Sequence, residues 1–116
     1  MSKVNLKRLS SGSRHTVTVK LTFEDNGAVT TEEMRVVYRG VSLREGAEIE
    51  ARVEAMTNRR EALIAALCEV VLELPDVVDD GGAAVKPSAE FFATLDTFYL
   101  NRINTAIQED RQGPNT

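Results

Sequence analysis

The sequence predicts an α+β fold in which an N-terminal antiparallel β-hairpin packs against a mainly helical C-terminal region of three or four helices. Residues 16–39 alternate apolar and polar side chains with period two on both sides of an Asn26-Gly27 pair. From Leu43 onward, apolar residues instead recur at helical spacing behind capping residues. Composition bounds the size of the answer. With 116 residues, 42% apolar and 28% charged, the chain suits one globular domain with a modest core and no large internal cavity. The expected organisation is a flexible basic arm over 1–15, a single α+β domain over 16–110 (hairpin 16–39, helices 43–74 and 89–110) and a flexible tail over 111–116.

In the first strand Val17, Val19, Leu21 and Phe23 alternate with Thr16, Thr18, Lys20 and Thr22, a half-buried pattern of high β propensity. Asn26 and Gly27 tolerate the positive φ that both centres of a tight hairpin turn require. With those two as the loop, Phe23 faces Thr30, Leu21 faces Glu32, Val19 faces Met34, Val17 faces Val36 and His15 faces Tyr38. All the core-directed residues of both strands then share one face, and a one-residue slip would destroy that agreement.

Gly40 ends the hairpin, and Ser42 with Glu45 has capping-box spacing, so a helix starts near Leu43 with Ile49, Val53 and Met56 on one side. Thr57 and Asn58 allow a break, and Asn58 with Glu61 repeats the cap. The segment reads as two consecutive helices, with one bent helix as the alternative. The second apolar stripe, Leu63, Leu67, Val70, Val71 and Leu74, runs as far as Pro75. Residues 75–87 read as a loop centred on Asp79-Asp80-Gly81-Gly82, after which Ser88 caps the last helix. There the apolar residues from Phe91 to Ile107 cover an arc of roughly 200°, about twice what one buried stripe needs. Asp96 falls inside the arc and can cap a second segment, so a kink is expected near Leu95 to Thr97. Phe92, Leu95, Tyr99, Ile103 and Ala106 lie at the middle of the arc and are expected in the core. Phe91 and Phe98 on one margin, and Leu100 and Ile107 on the other, are the candidate partner-binding residues.

Little in the chain points to catalysis. His15 is the only histidine and Cys68 the only cysteine, which excludes a zinc cluster of the usual ligands from one chain. His15 reads as a cross-strand neighbour of Tyr38, and Cys68 as a small buried hydrophobe. No glycine-bracketed serine elbow, dinucleotide fingerprint or P-loop is present. Counting an EF-hand from Asp76 puts Val78 at the third position and Pro87 at the twelfth, where a carboxylate is needed. Asp79 and Asp80 are therefore read as turn residues, and no cofactor, metal or enzymatic activity is expected. The longest apolar run, Ala62 to Cys68, is closed by Glu69 and is far too short for a membrane span. Residues 1–23 carry five basic side chains and no acid, against an overall net charge of −4. That arm has no interleaved aromatics and the acidic body would repel a duplex, which weighs against nucleic acid as a partner.

From Tyr38-Arg39-Gly40-Val41-Ser42 through the final helix, the chain resembles the small tail assembly chaperones of long-tailed phages with non-contractile tails. The resemblance rests on that step out of the hairpin, on the acidic glycine loop Val77-Val78-Asp79-Asp80-Gly81-Gly82-Ala83-Ala84-Val85-Lys86-Pro87-Ser88, and on the helix Ala89-Glu90-Phe91-Phe92-Ala93-Thr94-Leu95 that closes at Ile103-Asn104-Thr105-Ala106-Ile107. It covers about three quarters of the chain, and Leu74-Pro75-Asp76 stands where such proteins often carry a tryptophan. It implies a non-catalytic role in tail morphogenesis, with the tape-measure and tail-tube proteins as partners, self-association, and action in the cytoplasm of a bacterial host rather than in the mature virion. The alternatives are another phage or prophage interaction module, such as a tail accessory or connector protein, and, less favoured, a nucleic-acid-binding regulator.

Overall fold

In a computed structural model, residues 3, 4 and 12–112 are described. They form a three-stranded antiparallel sheet and four helices, in the order β1 (Arg14–Asp25), β2 (Ala28–Arg39), α1 (Leu43–Glu54), α2 (Arg59–Val70), β3 (Val71–Glu73), α3 (Ala89–Thr94) and α4 (Thr97–Gln112). The expected α+β architecture is the observed one.

The hairpin has the register that its turn chemistry requires. Asn26 and Gly27 take φ of 52° and 85°, and Val19 pairs with Met34, Val17 with Val36 and His15 with Tyr38. Pairing starts earlier than expected, at Arg14, and the Gly12 and Gly40 amides extend it by bonding the Gly40 and Ser13 carbonyls. Residues 12–15 thus belong to the hairpin rather than to a loose arm, and most of the arm, with the end of the tail, lies outside the described residues. Arg111 and Gln112, expected in the tail, are the last turn of α4.

Each helix starts where a short polar side chain accepts an orphan amide. Ser42 Oγ takes the Glu45 amide, Asn58 Oδ1 the Glu61 amide, Ser88 Oγ the Phe91 amide and Asp96 Oδ1 the Phe98 amide. The two-helix reading of 43–70 and the break near Asp96 both hold.

One boundary differs. The stripe expected to carry a helix to Leu74 stops at Val70, and Val71–Glu73 becomes a third strand on β2, pairing Tyr38 with Val71 and Val37 with Glu73 across a bulge. Val70 and Val71 are β-branched, which weakens helix propagation. The open edge of β2 offers backbone partners that another helical turn could not supply. Val71 and Leu74 are buried as expected, but from a strand and its exit.

The core lies between one sheet face and the helices: Val19, Val36 and Tyr38 from the hairpin meet Leu67 and Val70 of α2, Phe92 of α3 and Leu100, Ile103 and Ile107 of α4. Beyond β3, Arg35 fixes the chain by a forked contact. Its Nη2 donates to Asp76 Oδ1 at 2.7 Å, its Nε to Oδ2 at 3.0 Å and its backbone amide to Oδ2 at 2.8 Å. These bonds, first from the guanidinium and then from the amide, hold Asp76 below the usual carboxylate range, at about 2. A depressed carboxylate pKa adds stability that is present above the unfolded value of 3.8 and lost as pH falls through about 2. An Asp76→Asn variant is therefore expected to melt below the parent at about pH 6, with the gap closing between about pH 4 and pH 2. Thermal unfolding followed by circular dichroism across that range checks it; a gap independent of pH would mean that the charge on Asp76 contributes nothing.

Candidate docking surfaces

An open groove of about 1600 Å³ lies between α1, α2 and the C-terminal helix α4. It exists because α1 is lightly attached. Of its residues only Ile49 is buried, so the helix leans on α2 along one edge and leaves a channel beside it. The floor is apolar, with Val41, Ile49, Val53, Leu63 and Ala66, while Leu43 and Met56 stand on the rim, 95% and 38% exposed. The opposite wall, on α4, carries the neutral amides Asn101, Asn104 and Gln108 ahead of Asp110 and Arg111, and Glu50, Glu54, Arg59 and Arg60 add charges of both signs to the lining.

The end of the groove is closed by a polar cluster. The Tyr38 hydroxyl donates to Asp110 Oδ2 at 2.5 Å, and the His15 ring stacks on the phenol ring with centroids 5.4 Å apart. The Arg111 guanidinium lies 5.5 Å from the same ring centre. Burial raises the Tyr38 pKa, and its hydrogen bond to the Asp110 carboxylate adds to the rise, so the phenol stays neutral and acts as a fixed donor. The role expected for His15 as cross-strand neighbour of Tyr38 is the observed one.

The four residues singled out on the C-terminal helical segment separate into three environments. Phe98 is 59% exposed and packs edge-on against Tyr99, which also contacts Phe23 of β1, so an aromatic patch opens beside the hairpin. Phe91 is half-buried beside Phe92. Leu100 and Ile107 are fully buried, at 0% and 1% exposure, and cannot meet another molecule in this state. With Ile103 they form the inward stripe of α4, because sheet and α2 close over that flank; Leu95, Tyr99 and Ala106, expected at the centre, are only half-buried. The width of an apolar arc does not say which part of it the neighbouring elements cover.

Cys68 is a further correction. It is exposed, about 160° round α2 from the mean direction of the buried Ala62, Leu67 and Val70. Partial desolvation, with the Glu69 charge beside it, still raises the thiol pKa, which disfavours the reactive thiolate. In the acidic loop the expected turn role falls to Asp79, whose Oδ1 accepts from the Gly81 and Ala83 amides at 2.9 Å each. Among the described residues no group of acidic, histidine or cysteine side chains is placed to hold a metal ion, and no helix is long and apolar enough to cross a membrane.

The chain matches no family profile, no curated protein and no solved structure.

The different burial of the margin residues has a measurable consequence. Leu100→Ala is expected to destabilise the protein by about 2–5 kcal/mol, as large-to-small changes in closed cores do. Phe98→Ser is expected to stay within about 0.5 kcal/mol of the parent. Urea unfolding of both variants distinguishes them, and equal effects would mean that Phe98 is held as firmly as the core.

Proposed function

We propose that this protein is a non-catalytic tail assembly chaperone of the kind its sequence resembles, acting in the bacterial cytoplasm and binding the tape-measure and tail-tube proteins of a phage. The observation that carries the reading is the groove beside α1. A partner helix about 10 Å wide lays an apolar stripe on a floor of this kind through anchors spaced i, i+3 or i+4, and i+7. The 12-residue α1 offers about 18 Å of wall, enough for roughly three turns of such a helix. Asn101, Asn104 and Gln108 each bring a donor and an acceptor, and the charged lining residues are of both signs, so the polar side of varied partner sequences can be satisfied without demanding one charge. That tolerance suits a protein that must coat many successive segments of one long helical chain. The aromatic patch at Phe98, with the half-buried Phe91, is assigned to a second contact, with the tail-tube subunit.

In the genome, this reading requires a tail-tube gene upstream and a gene for a very long helical protein downstream. The product of the long gene, co-expressed with this chain, is expected to be retained in soluble form and to co-purify with it. Leu43→Lys combined with Met56→Lys places two charges on the groove rim at residues that the core does not use. The pair is expected to weaken that capture about tenfold or more, equivalent to about 1.4 kcal/mol, with the melting temperature unchanged. Full capture by the folded double variant would reject the groove as the docking site, and no capture by the parent would reject the chaperone reading itself.

A further inference from the structure

We propose that β1 is a self-pairing edge, through which two copies of this chain join their first strands antiparallel about a two-fold axis at Val19 and extend the sheet across both molecules. The inference does not rest on the tail-assembly reading.

β1 is the outer strand of the order β1-β2-β3 and is 12 residues long, and among the described residues no strand pairs with its outer side, a long edge for so small a sheet. The direction of its backbone groups follows from the turn. A two-residue loop makes Asp25 and Ala28 a hydrogen-bonded pair, so odd-numbered residues of β1 bond to β2 and even-numbered ones turn N–H and C=O outward. Two observed bonds obey this parity: the Ser13 carbonyl accepts from the Gly40 amide, while the Lys20 carbonyl faces away and accepts from Arg102.

A second strand must bring like faces together, so residues of equal parity oppose one another. One such register uses the strand from Arg14 to Glu24. It sets Arg14 against the partner's Glu24, Thr16 against the partner's Thr22, Thr18 against the partner's Lys20 and Val17 against the partner's Leu21, with Val19 on the axis. Both ends then carry an ion pair between oppositely charged cross-strand neighbours. Of the two neighbouring registers of the same parity, one sets Lys20 against the partner's Lys20 and takes Arg14 out of the pairing, and the other sets Arg14 against the partner's Thr22 and leaves Glu24 opposite no charge, so both lose the terminal ion pairs. The charges along β1 therefore select the centred arrangement, and they select a second copy of this chain over an arbitrary strand.

Six outward pairs, each exchanging two hydrogen bonds, supply about 12 new backbone bonds. Val17 and Leu21, half-buried in the single chain, gain cover from each other. Arg102 need not leave, since a carbonyl oxygen has two lone pairs. The tie of Arg14 to Glu73 at 2.5 Å occupies one guanidinium nitrogen and leaves other N–H groups for the partner's Glu24.

Sedimentation of the full chain over a concentration series tests this with two charge reversals, Arg14→Glu and Glu24→Arg. The parent is expected to dimerise reversibly. Each variant alone places like charges at both ends of the paired strands and is expected to raise the dissociation constant at least about tenfold. An equimolar mixture of the two restores an opposite-charge pair at each end and is expected to return to parental affinity as a heterodimer, which loss of the Arg14–Glu73 contact or partial unfolding would not produce. A parent that stays monomeric throughout, variants that dimerise as the parent does, or a mixture that fails to recover would each overturn the proposal.

Discussion

The guanidinium of Arg39 joins the three elements whose relative placement decides everything downstream of the hairpin. It stands at the last residue of β2, with a side chain only 22% exposed. Its Nε donates to the Glu69 carbonyl in the last turn of α2 at 2.7 Å, and its Nη1 to the Glu45 carboxylate in the first turn of α1 at 2.9 Å. The Glu69 carboxylate lies near the remaining nitrogen, at 3.7 Å, and also faces Arg52. A lysine could not replace this arrangement, because only the planar fork presents donors in several fixed directions at once. Holding the end of α2 against the end of β2 brings the following residues alongside Tyr38, and there they form β3.

Arg39 is one case of a device used repeatedly in this chain. Helices commonly end on a glycine of positive φ, which folds the chain back so that its own amides meet the orphan carbonyls. Here α2 ends on Val71 and α3 on Leu95, both extended. Side chains remote in sequence supply the donors instead. Arg60 gives Nη2 to the Ala93 and Leu95 carbonyls at 2.7 Å each and Nη1 to Thr97 Oγ1, so a residue near the start of α2 fixes the corner between α3 and α4. The cost of leaving a carbonyl unpaired, about 1–3 kcal/mol when buried, makes such tertiary caps a means of locking element angles as well as element ends. The helices of this small protein are consequently positioned by a few guanidinium groups in addition to a core that lines one face of a three-stranded sheet.

What could be read from the sequence follows from the range of the interaction that decides each feature. The hairpin register was legible because Asn26-Gly27 and the period-two pattern are local and independent, and they agree. The four helix starts were legible because Ser42, Asn58, Ser88 and Asp96 act within three residues. β3 was not, since Val71 and Leu74 continue a helical stripe and only the free edge of β2, more than 30 residues earlier in the chain, gives residues 71–73 another set of partners. The same limit applies to the docking surfaces. Apolar width on the C-terminal segment was visible, but the side covered by α2 and the sheet was not, which is why Leu100 and Ile107 proved to be core while Phe98 stayed open. The groove was illegible for a related reason: Ile49, Val53 and Met56 form an ordinary helical stripe, and nothing local reveals that only the first is buried while Val53 is half-buried and Met56 exposed.

The weak attachment of α1 and the strength of its anchor act together. Local opening costs least where few apolar groups are buried, and α1 buries one. Its first turn is nevertheless tied through Glu45 to Arg39, and through Ser42 to its own cap. Its last turn is tied more loosely, by Arg52 to the Glu69 carboxylate at 3.4 Å, before the chain runs into the exposed residues Ala55, Met56 and Thr57. The helix is thus tied at both ends by charged side chains and lightly supported along its length. The apolar occupant proposed for the groove would cover Ile49 and Val53 from the open side and so add burial to a helix that by itself buries one residue.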